Sequence, residues 1–493
     1  MDPNFISHLS TSTAQAAPML VLLATGLILM LLDAFKQRSP LPWVTAAGLL
    51  LSSVWAWAIR VDGSSLIFSG MMETGGYAPL VHVFLCVSGL LTLFFLQDYL
   101  KRQDRPIDDV YSLLTFSVLG MILMANANDL IMIFIGLETM SMALYIFAAL
   151  YKRDLKSNEA GLKYFLLGSF ASAFLLFGIS LIYGISGYTD LTEIGMNFDR
   201  MMENELIFYT GVGLILIGFL FKVAAFPFHS WTPDVYEGTP TPLAGFMATG
   251  SKMAAFVAFG VIIQKMELAS RPEAGKIVTL LAISALLTMI YGNIVAARQT
   301  NLKRMLAYSS IAHSGYVLLG LCAATIGFKA VIFYMFIYTL MNVGAFGMVG
   351  MVEREYEDTH LDNWKGLGKV APYFASALSV FLFSLAGIPP LAGFMSKYQV
   401  FITAIDADLT FLATVGILTS VIGAYYYIRV IVLMFFNSDE SRPGFNLNFS
   451  TLPVVGIAVL VVLLVVFGVA PSLILSPIDA AFGAAGDAIS VLP

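Results

Sequence analysis

Six ionisable side chains lie where such groups are costly. Lys163, Lys222, Lys252 and Lys397 fall inside otherwise apolar stretches, Glu138 lies in DLIMIFIGLETMSMALY, and His313 lies well inside LKRMLAYSSIAHSGY. A charged side chain at the centre of a membrane helix costs roughly 2.5–3.5 kcal/mol on insertion scales. Near a helix end, the long lysine chain can reach the headgroups instead. That escape is open to Lys163 and Lys397, and harder for Lys222 in GFLFKVAAF and Lys252 in GSKMAAF. Glu138 is the one acid deep in an apolar stretch, since Asp33 and Asp129 sit near ends. A lysine beside a buried carboxylate keeps both groups charged or lets them share a proton, so Glu138 and Lys222 are a candidate ion pair. Two unit charges about 7 Å apart at an effective dielectric near 20 attract by roughly 2.4 kcal/mol. A change at one therefore alters proton holding at the other. Histidine titrates near neutrality and passes a proton in either direction. The chemistry these types permit is proton transfer along a buried series. The plain alternative is a static pair that pins two helices. His229 resembles His313 in setting, His82 and His8 have no supporting neighbours, and His360 falls in a charged loop.

The elements that must position these groups are membrane helices. Of 493 residues, 58% are hydrophobic and 12% charged, against about 25% charged in soluble domains, and the mean hydropathy is +0.84. This excludes a cytosolic enzyme, a disordered chain and a secreted disulfide scaffold. An all-α polytopic membrane protein is expected, with about 14 transmembrane helices at 16–35, 41–59, 78–97, 110–127, 129–150, 160–184, 206–227, 240–264, 275–297, 304–324, 328–351, 372–402, 409–436 and 452–470. No Lys or Arg precedes the first span, so it lacks the basic region of a cleavable signal and is read as retained.

Two spans are interrupted by proline: FLFKVAAFPFHSWTP, with Pro227 and Pro233, and FLFSLAGIPPLAGFMSK, with Pro389 and Pro390. Proline removes a backbone donor and clashes with the preceding turn, so each helix should break there. FLFKVAAFP is similar to FLFSLAGIP, and PLAGFM follows each, with Ser-Lys shortly after. The broken spans are numbers seven and twelve. An offset of five helices, an odd number, turns the second copy upside down, the inverted-repeat pattern of transporters with sites at broken helices.

Sixteen of the 26 Lys and Arg fall in odd-numbered loops, among them Arg102, Arg105, Lys303, Arg304, Arg354 and Arg442, and six in even-numbered loops. That bias puts odd loops in the cytoplasm and both termini outside. The net charge of -6 lacks the basic footprint of a nucleic-acid binder. Cys86 and Cys322 lie in apolar runs and form no CxxC or Cys/His cluster, so the material for an iron–sulfur or structural zinc site is missing. Neither GxxxxGK[ST] nor GxGxxG at a strand–helix junction is found, so energy must come from an ion gradient or a partner.

Three strings, FKVAAFPFHSWTPDVYEGTPTPLAGFMATGSKMAAF, LKRMLAYSSIAHSGY and FSLAGIPPLAGFMSKYQVF, resemble the antiporter-like membrane subunits of respiratory complex I, bacterial NADH-quinone oxidoreductase. DVYEGTPTP and AYSSIAHSGY look like the subunit N type. The resemblance covers roughly residues 75–436. It implies N-terminal helices one to three in 1–109, a five-helix repeat in 110–264, a second, inverted repeat in 275–436, and helix fourteen with a tail in 452–493. It implies proton-translocation roles for Glu138 (span five), Lys163 (span six), Lys222 (span seven), Lys252 (span eight) and Lys397 (span twelve), with His313 at a position other polar residues can occupy. It also implies a subunit without a redox centre or cofactor of its own. NADH, FMN, iron–sulfur clusters and quinone would be handled by other subunits, and the partners would be membrane subunits, including paralogous antiporter-like ones, in the bacterial inner membrane. A sodium/proton antiporter of the Mrp type, or a passive scaffold with vestigial charges, are the competing expectations.

Overall fold

The computed structural model describes residues 3–61, 63–101, 107–269, 271–356, 358–437 and 450–489. Arg102, Arg105 and Arg442, counted above as orienting cations, lie outside the described residues, as do the side chains of His8, Arg354 and Asp487. In chain order the helices are α1 (Pro3–Ala34), α2 (Leu41–Ala58), α3 (Ala78–Lys101), α4 (Val110–Ala125), α5 (Leu130–Ala148), α6 (Leu155–Ser186), α7 (Leu191–Met196), α8 (Phe198–Met202), α9 (Glu205–Lys222), α10 (Thr232–Gly238), α11 (Thr241–Lys265), α12 (Gly275–Ala297), α13 (Leu302–Cys322), α14 (Ala324–Tyr356), α15 (Leu367–Val370), α16 (Pro372–Ala386), α17 (Ala392–Asp406), α18 (Thr410–Phe436), α19 (Thr451–Val469) and α20 (Ser472–Ile489). A two-stranded hairpin, β1 (Leu66–Ile67) and β2 (Met72–Glu73), joins α2 to α3.

Each expected span carries helix. Among the described residues, twelve helices are long and apolar enough to cross a membrane, while α4 and α16 are apolar but shorter. The chain is a multi-pass helical membrane protein. Several of its helices begin where short polar side chains accept from free backbone N–H groups. Asp129 accepts from Ile131 and Met132 at α5, Asp154 from Lys156 at α6, and Asn301 from Arg304 at α13. The interior is built on α11 and α14, whose apolar lengths are wholly buried, with α13 nearly so. Helices α6 and α19 lie outermost, with Leu162, Phe170 and Val462 exposed as lipid-facing residues are. Helices α1–α3 pack on α4, and α19 on α3, α14 and α17.

Two loops repeat one device. Asp129, at the head of α5, forms an isolated antiparallel bridge with Asp190 beyond the end of α6, where Leu130 N donates to Thr189 O and Leu191 N to Asn128 O. Asn301, at the head of α13, bridges His360 beyond α14 in the same way, with Leu302 N to Thr359 O and Leu361 N to Thr300 O. The broken spans also match in outline: α9 stops and α10 follows, α16 stops and α17 follows. The left-handed residue at the first break is Ala224 (φ 60) and at the second Gly387 (φ 85). The two PLAGFM strings, however, are not equivalent. The first opens α11, a full helix beyond α10, whereas the second opens α17, the second half of the broken span. A Pro-Leu-Ala-Gly run suits any helix start, because proline is pre-organised for the first turn.

Glycines bring two helix pairs together. A Cβ on Gly120 would lie 2.5 Å from Met140 N, and one on Gly136 2.4 Å from Met124 N, so α4 and α5 meet backbone to backbone. In α12 and α13, Gly292 and Gly315 do the same against Ala312 N and Met289 N. Small residues that allow this approach are how membrane helices gain packing energy. Replacing Gly136 or Gly292 with Val forces the pair apart at a cost of about 1–3 kcal/mol. The expected outcome is a lower unfolding midpoint of the detergent-solubilised protein, with Val at the exposed Leu162 as the unaffected control.

Candidate functional site

The break after α9 creates the first site. Beyond Lys222 the chain leaves helical geometry, and the backbone groups it frees are met by hydroxyls and an indole from neighbouring helices. Ser314 Oγ donates to Val223 O at 2.6 Å. Trp231 Nε1 donates to Phe221 O at 3.1 Å. Phe226 N donates to Thr288 Oγ1 at 2.9 Å, and Ser284 Oγ to Phe226 O at 2.7 Å. Irregular backbone at membrane depth is tolerated only when satisfied in this way. α12 and α13 therefore hold the break open by hydrogen bonds, not by packing alone.

Lys222 is buried at that point. Its Nζ donates to Ser141 Oγ at 2.8 Å and to Tyr164 OH at 3.3 Å, and lies 5.8 Å and 5.4 Å from the ring centroids of Tyr145 and Tyr164. Tyr164 stacks on Trp231. Among the described residues Lys222 makes no direct ion pair with Glu138, its candidate partner. The Glu138 carboxylate instead accepts from Ser172 Oγ and is only half-buried, between α5 and α6. Beside Lys222 lies a cavity of about 10 Å³ lined also by Ser141, Tyr145 and Ser172, close to the room one water needs. Each group is met by a serine instead, Lys222 by Ser141 and Glu138 by Ser172.

Lys252 lies in α11 with 1% of its surface accessible. Its three ammonium hydrogens meet Ser310 O (3.0 Å), Ser310 Oγ (2.7 Å) and Ser314 Oγ (3.0 Å), which is the full donor capacity of a lysine. Ser314 thus touches both Lys252 and the carbonyl freed next to Lys222. His313, the neighbour of Ser314, bonds through Nδ1 to Tyr334 OH at 2.6 Å and through Nε2 to Tyr427 OH at 3.3 Å. Tyr316 packs edge-on against His313, and its ring lies 5.5 Å from Lys397 Nζ. Lys397 donates to Ala386 O, the last carbonyl of α16, at 3.0 Å and to Ser420 Oγ at 2.8 Å. A cation at a helix C-terminus is favourable, so Lys397 also caps the second break.

Lys163 is placed elsewhere. It is 40% exposed and pairs with Glu159 (2.5 Å) and Asp234 (2.7 Å). Asp234 also binds Arg304, which binds Glu237, which binds Lys156. This network ties α6, α10 and α13 together. The sequence placed Lys163 in hydrocarbon because α6 reads as apolar there, but the lysine sits in the third turn of a long helix, opposite the acids of α10. His229 stacks between Phe226 and Tyr291, and its Nδ1 has no hydrogen-bond partner. His82 bonds to Ser52. Sequence reading missed the hydroxyls Ser141, Ser172, Ser310 and Ser314, although each lies on a helix that also carries one of the charges or faces one.

The family described as NADH:quinone oxidoreductase/Mrp antiporter, TM, matches residues 127–423, a stretch that holds all six of these ionisable groups. NADH-quinone oxidoreductase subunit N of Salinibacter ruber is 40% identical over 437 residues, 88% of this chain and 87% of that one. The chain belongs to the subunit N family of NADH-quinone oxidoreductase. Subunit N 1 of Chloroherpeton thalassium is 43% identical over 412 residues, 83% of this chain and 85% of that one. In respiratory complex I from Thermus thermophilus, a chain 30% identical superposes with a TM-score of 0.79, covering 94% of this chain and 99% of that one. A chain of the Mrp complex from Dietzia sp. shares the fold, with a TM-score of 0.81 at 20% identity and coverage of 95% and 97%. Members of the subunit N family are membrane subunits of antiporter-like type.

The hydrogen bonds that hold the α9 break make one structural expectation. Thr288→Val keeps the volume but leaves Phe226 N–H unpaired in an apolar interior, at a cost of about 1–3 kcal/mol. The unfolding midpoint should fall, and amide exchange should rise at residues 223–226 while α18 stays unchanged.

Proposed function

We propose that this chain is the proton-translocating, antiporter-like subunit of an NADH:quinone oxidoreductase, and that Glu138, Lys222, Lys252, His313 and Lys397 form its buried axis. The observation that carries the reading is the seating of the lysines. Lys222 and Lys252 are sealed from the surface and held by hydroxyls and a carbonyl, with no carboxylate in contact among the described residues. A lysine that served only as structural glue would gain most from a direct counter-ion. A lysine held by serines can lose its proton and still keep its partners, because a hydroxyl donates as readily as it accepts.

In this scheme a charge brought beside half-buried Glu138 from outside the chain changes the field at Lys222. The cavity lined by Ser141, Ser172 and Lys222 has room for about one water, which would carry the proton across it. Ser314 touches the break beside Lys222 and also Lys252, so the state of one reaches the other. His313 and the tyrosines around it lead on to Lys397 for release. Lys163 acts indirectly, through the ion pairs that hold α10. The oxidation of NADH, the FMN and iron–sulfur chemistry and the reduction of quinone fall to other subunits.

The matching bridges at Asp129–Asp190 and Asn301–His360 support two related units in 110–264 and 275–436, with the second inverted. The excess of basic residues in odd loops supports a bacterial inner-membrane setting with both termini periplasmic. A sodium/proton antiporter would use the same buried groups. The identity of about 40% over most of the chain to proteins named subunit N favours the complex I reading.

Lys222→Ala and Glu138→Ala should assemble into the complex and lose proton pumping together with much of the coupled turnover. Both are measured in sealed vesicles energised with NADH. A proton-to-electron ratio equal to that of the unmodified complex in either variant sinks the scheme.

A further inference from the structure

Behind the axis lies a buried ion pair that the scheme above does not use. Lys303, which the sequence ranks as a loop cation, is 3% exposed, and its Nζ donates to Glu353 Oε1 at 3.0 Å and to Thr239 O at 2.8 Å. Glu353 also accepts from Thr241 and from Tyr99 OH, the latter at 3.3 Å. The acid is 21% exposed. It therefore opens toward the surface while the lysine is sealed behind it. A clamp fastening α10 and α11 to α13 and α14 would account for these contacts alone.

A clamp does not account for what lies deeper. Ser310 follows Lys303 by seven residues, two turns of α13, so it shares the face about 10.5 Å further in. Ser310 holds Lys252. Thr232 and Tyr236 lie four apart on α10, Thr239 caps its end three residues on, and all three are buried. Thr239 supplies the carbonyl that Lys303 binds. The hydroxyls of Tyr236 and Tyr338 both lie beside Ser310, and that of Tyr338 beside Asn342 as well, yet among the described residues Tyr236 OH, Tyr338 OH, Asn342 Oδ1 and Thr232 Oγ1 make no aligned hydrogen bond. Tyr338 and Asn342 are one turn apart on α14. Buried polar atoms without partners are rare and each needs a cause. Four of them on two helices that flank one buried lysine point to a short hydrated path.

We infer that Glu353, with Lys303 behind it, is the proton-loading site for Lys252, and that the Tyr236 and Ser310 hydroxyls carry the proton between them. This rests on the reading that Lys252 carries a translocated proton. The Glu353 carboxylate takes a proton from the aqueous side. The proton moves inward along the row of hydroxyls and bridging water to the neutral Lys252 amine. Lys252 becomes an ammonium held by Ser310 and Ser314, and Glu353 returns to a carboxylate paired with Lys303. Lys303 and Glu353 flank odd-numbered loops, so loading occurs on the side assigned to the cytoplasm.

The experiment uses the assembled complex in sealed vesicles and reads the proton-to-electron ratio, the rate of NADH oxidation and the amount of complex formed. Glu353→Gln and Tyr236→Phe are compared with Lys252→Ala. Tyr236→Phe removes one oxygen that makes no aligned hydrogen bond, so it tests the path even where Glu353→Gln lowers assembly. Both variants are expected to lose as much of the ratio as Lys252→Ala does, and Glu353→Asp to recover part of it. A normal ratio in Tyr236→Phe and in whatever Glu353→Gln complex forms, with only the amount reduced, makes the pair a clamp and overturns the inference. A normal ratio in Lys252→Ala would overturn the parent reading instead.

Discussion

A lysine ammonium in an apolar interior has three hydrogens to satisfy and no surrounding water with which to do so. The central architecture follows from that constraint. Lys252 finds its three acceptors on one turn of α13, at Ser310 and Ser314, so α11 and α13 are fixed in register at the core of the molecule. Ser314 cannot serve Lys252 alone, since its own hydrogen points to Val223 O. The register of α11 against α13 and the opening of α9 are therefore one problem with one solution. Were α9 a continuous helix, Val223 O would bond within it, and Ser314 would be free of the break.

The same economy recurs at the second broken span with the parts rearranged. At the first break, a serine from another helix covers the freed carbonyl and a lysine sits just before the gap. At the second, Lys397 covers the carbonyl of Ala386 itself, from the far side of the gap. A charge that caps a helix end is bound to the geometry of that end. Motion of either half would change its bonding, whereas Lys252, held between two intact helices, has fixed surroundings. Broken helices place the outer two lysines at helix interruptions, and an unbroken one carries the middle lysine.

Much of this was legible in the sequence, for a physical reason. Hydrophobic runs, prolines within them and charges out of place are each costly in a bilayer, so they report depth and interruption directly. The spans, both breaks and the burial of Lys222, Lys252 and Lys397 were read on that basis. What failed needed knowledge of neighbours. Serines such as Ser141 and Ser310 are inconspicuous in apolar helices, where they usually bond their own backbone, and nothing in the letters says which faces a lysine. Lys303 and Lys163 were misjudged in opposite directions, because a position near a helix end is buried or open according to what packs beside it. The PLAGFM repeat misled because helix starts draw on few residue types. The paired bridges after α6 and α14 run through backbone hydrogen bonds between NANDL and YTDL on one side and QTNL and DTHL on the other, strings whose pairing no hydropathy pattern marks.

The charges therefore fall into two classes distinguished by their partners. Where acids and bases touch, as in the network of Lys156, Lys163, Asp234, Glu237 and Arg304, the groups are partly open and each cation has an anion. This network holds helices together, whereas Lys303–Glu353, sealed on one side and open on the other, is the touching pair that the inferred loading step uses. Where the lysines are deepest, their partners are neutral hydroxyls and carbonyls, which tolerate a change of protonation at a fraction of the cost of stranding a counter-ion. Glu138 lies between the classes, half-buried and held by one serine. A path for protons needs groups of the second kind in its interior and a fastening of the first kind around it, and that is how the charge of this chain is distributed with depth.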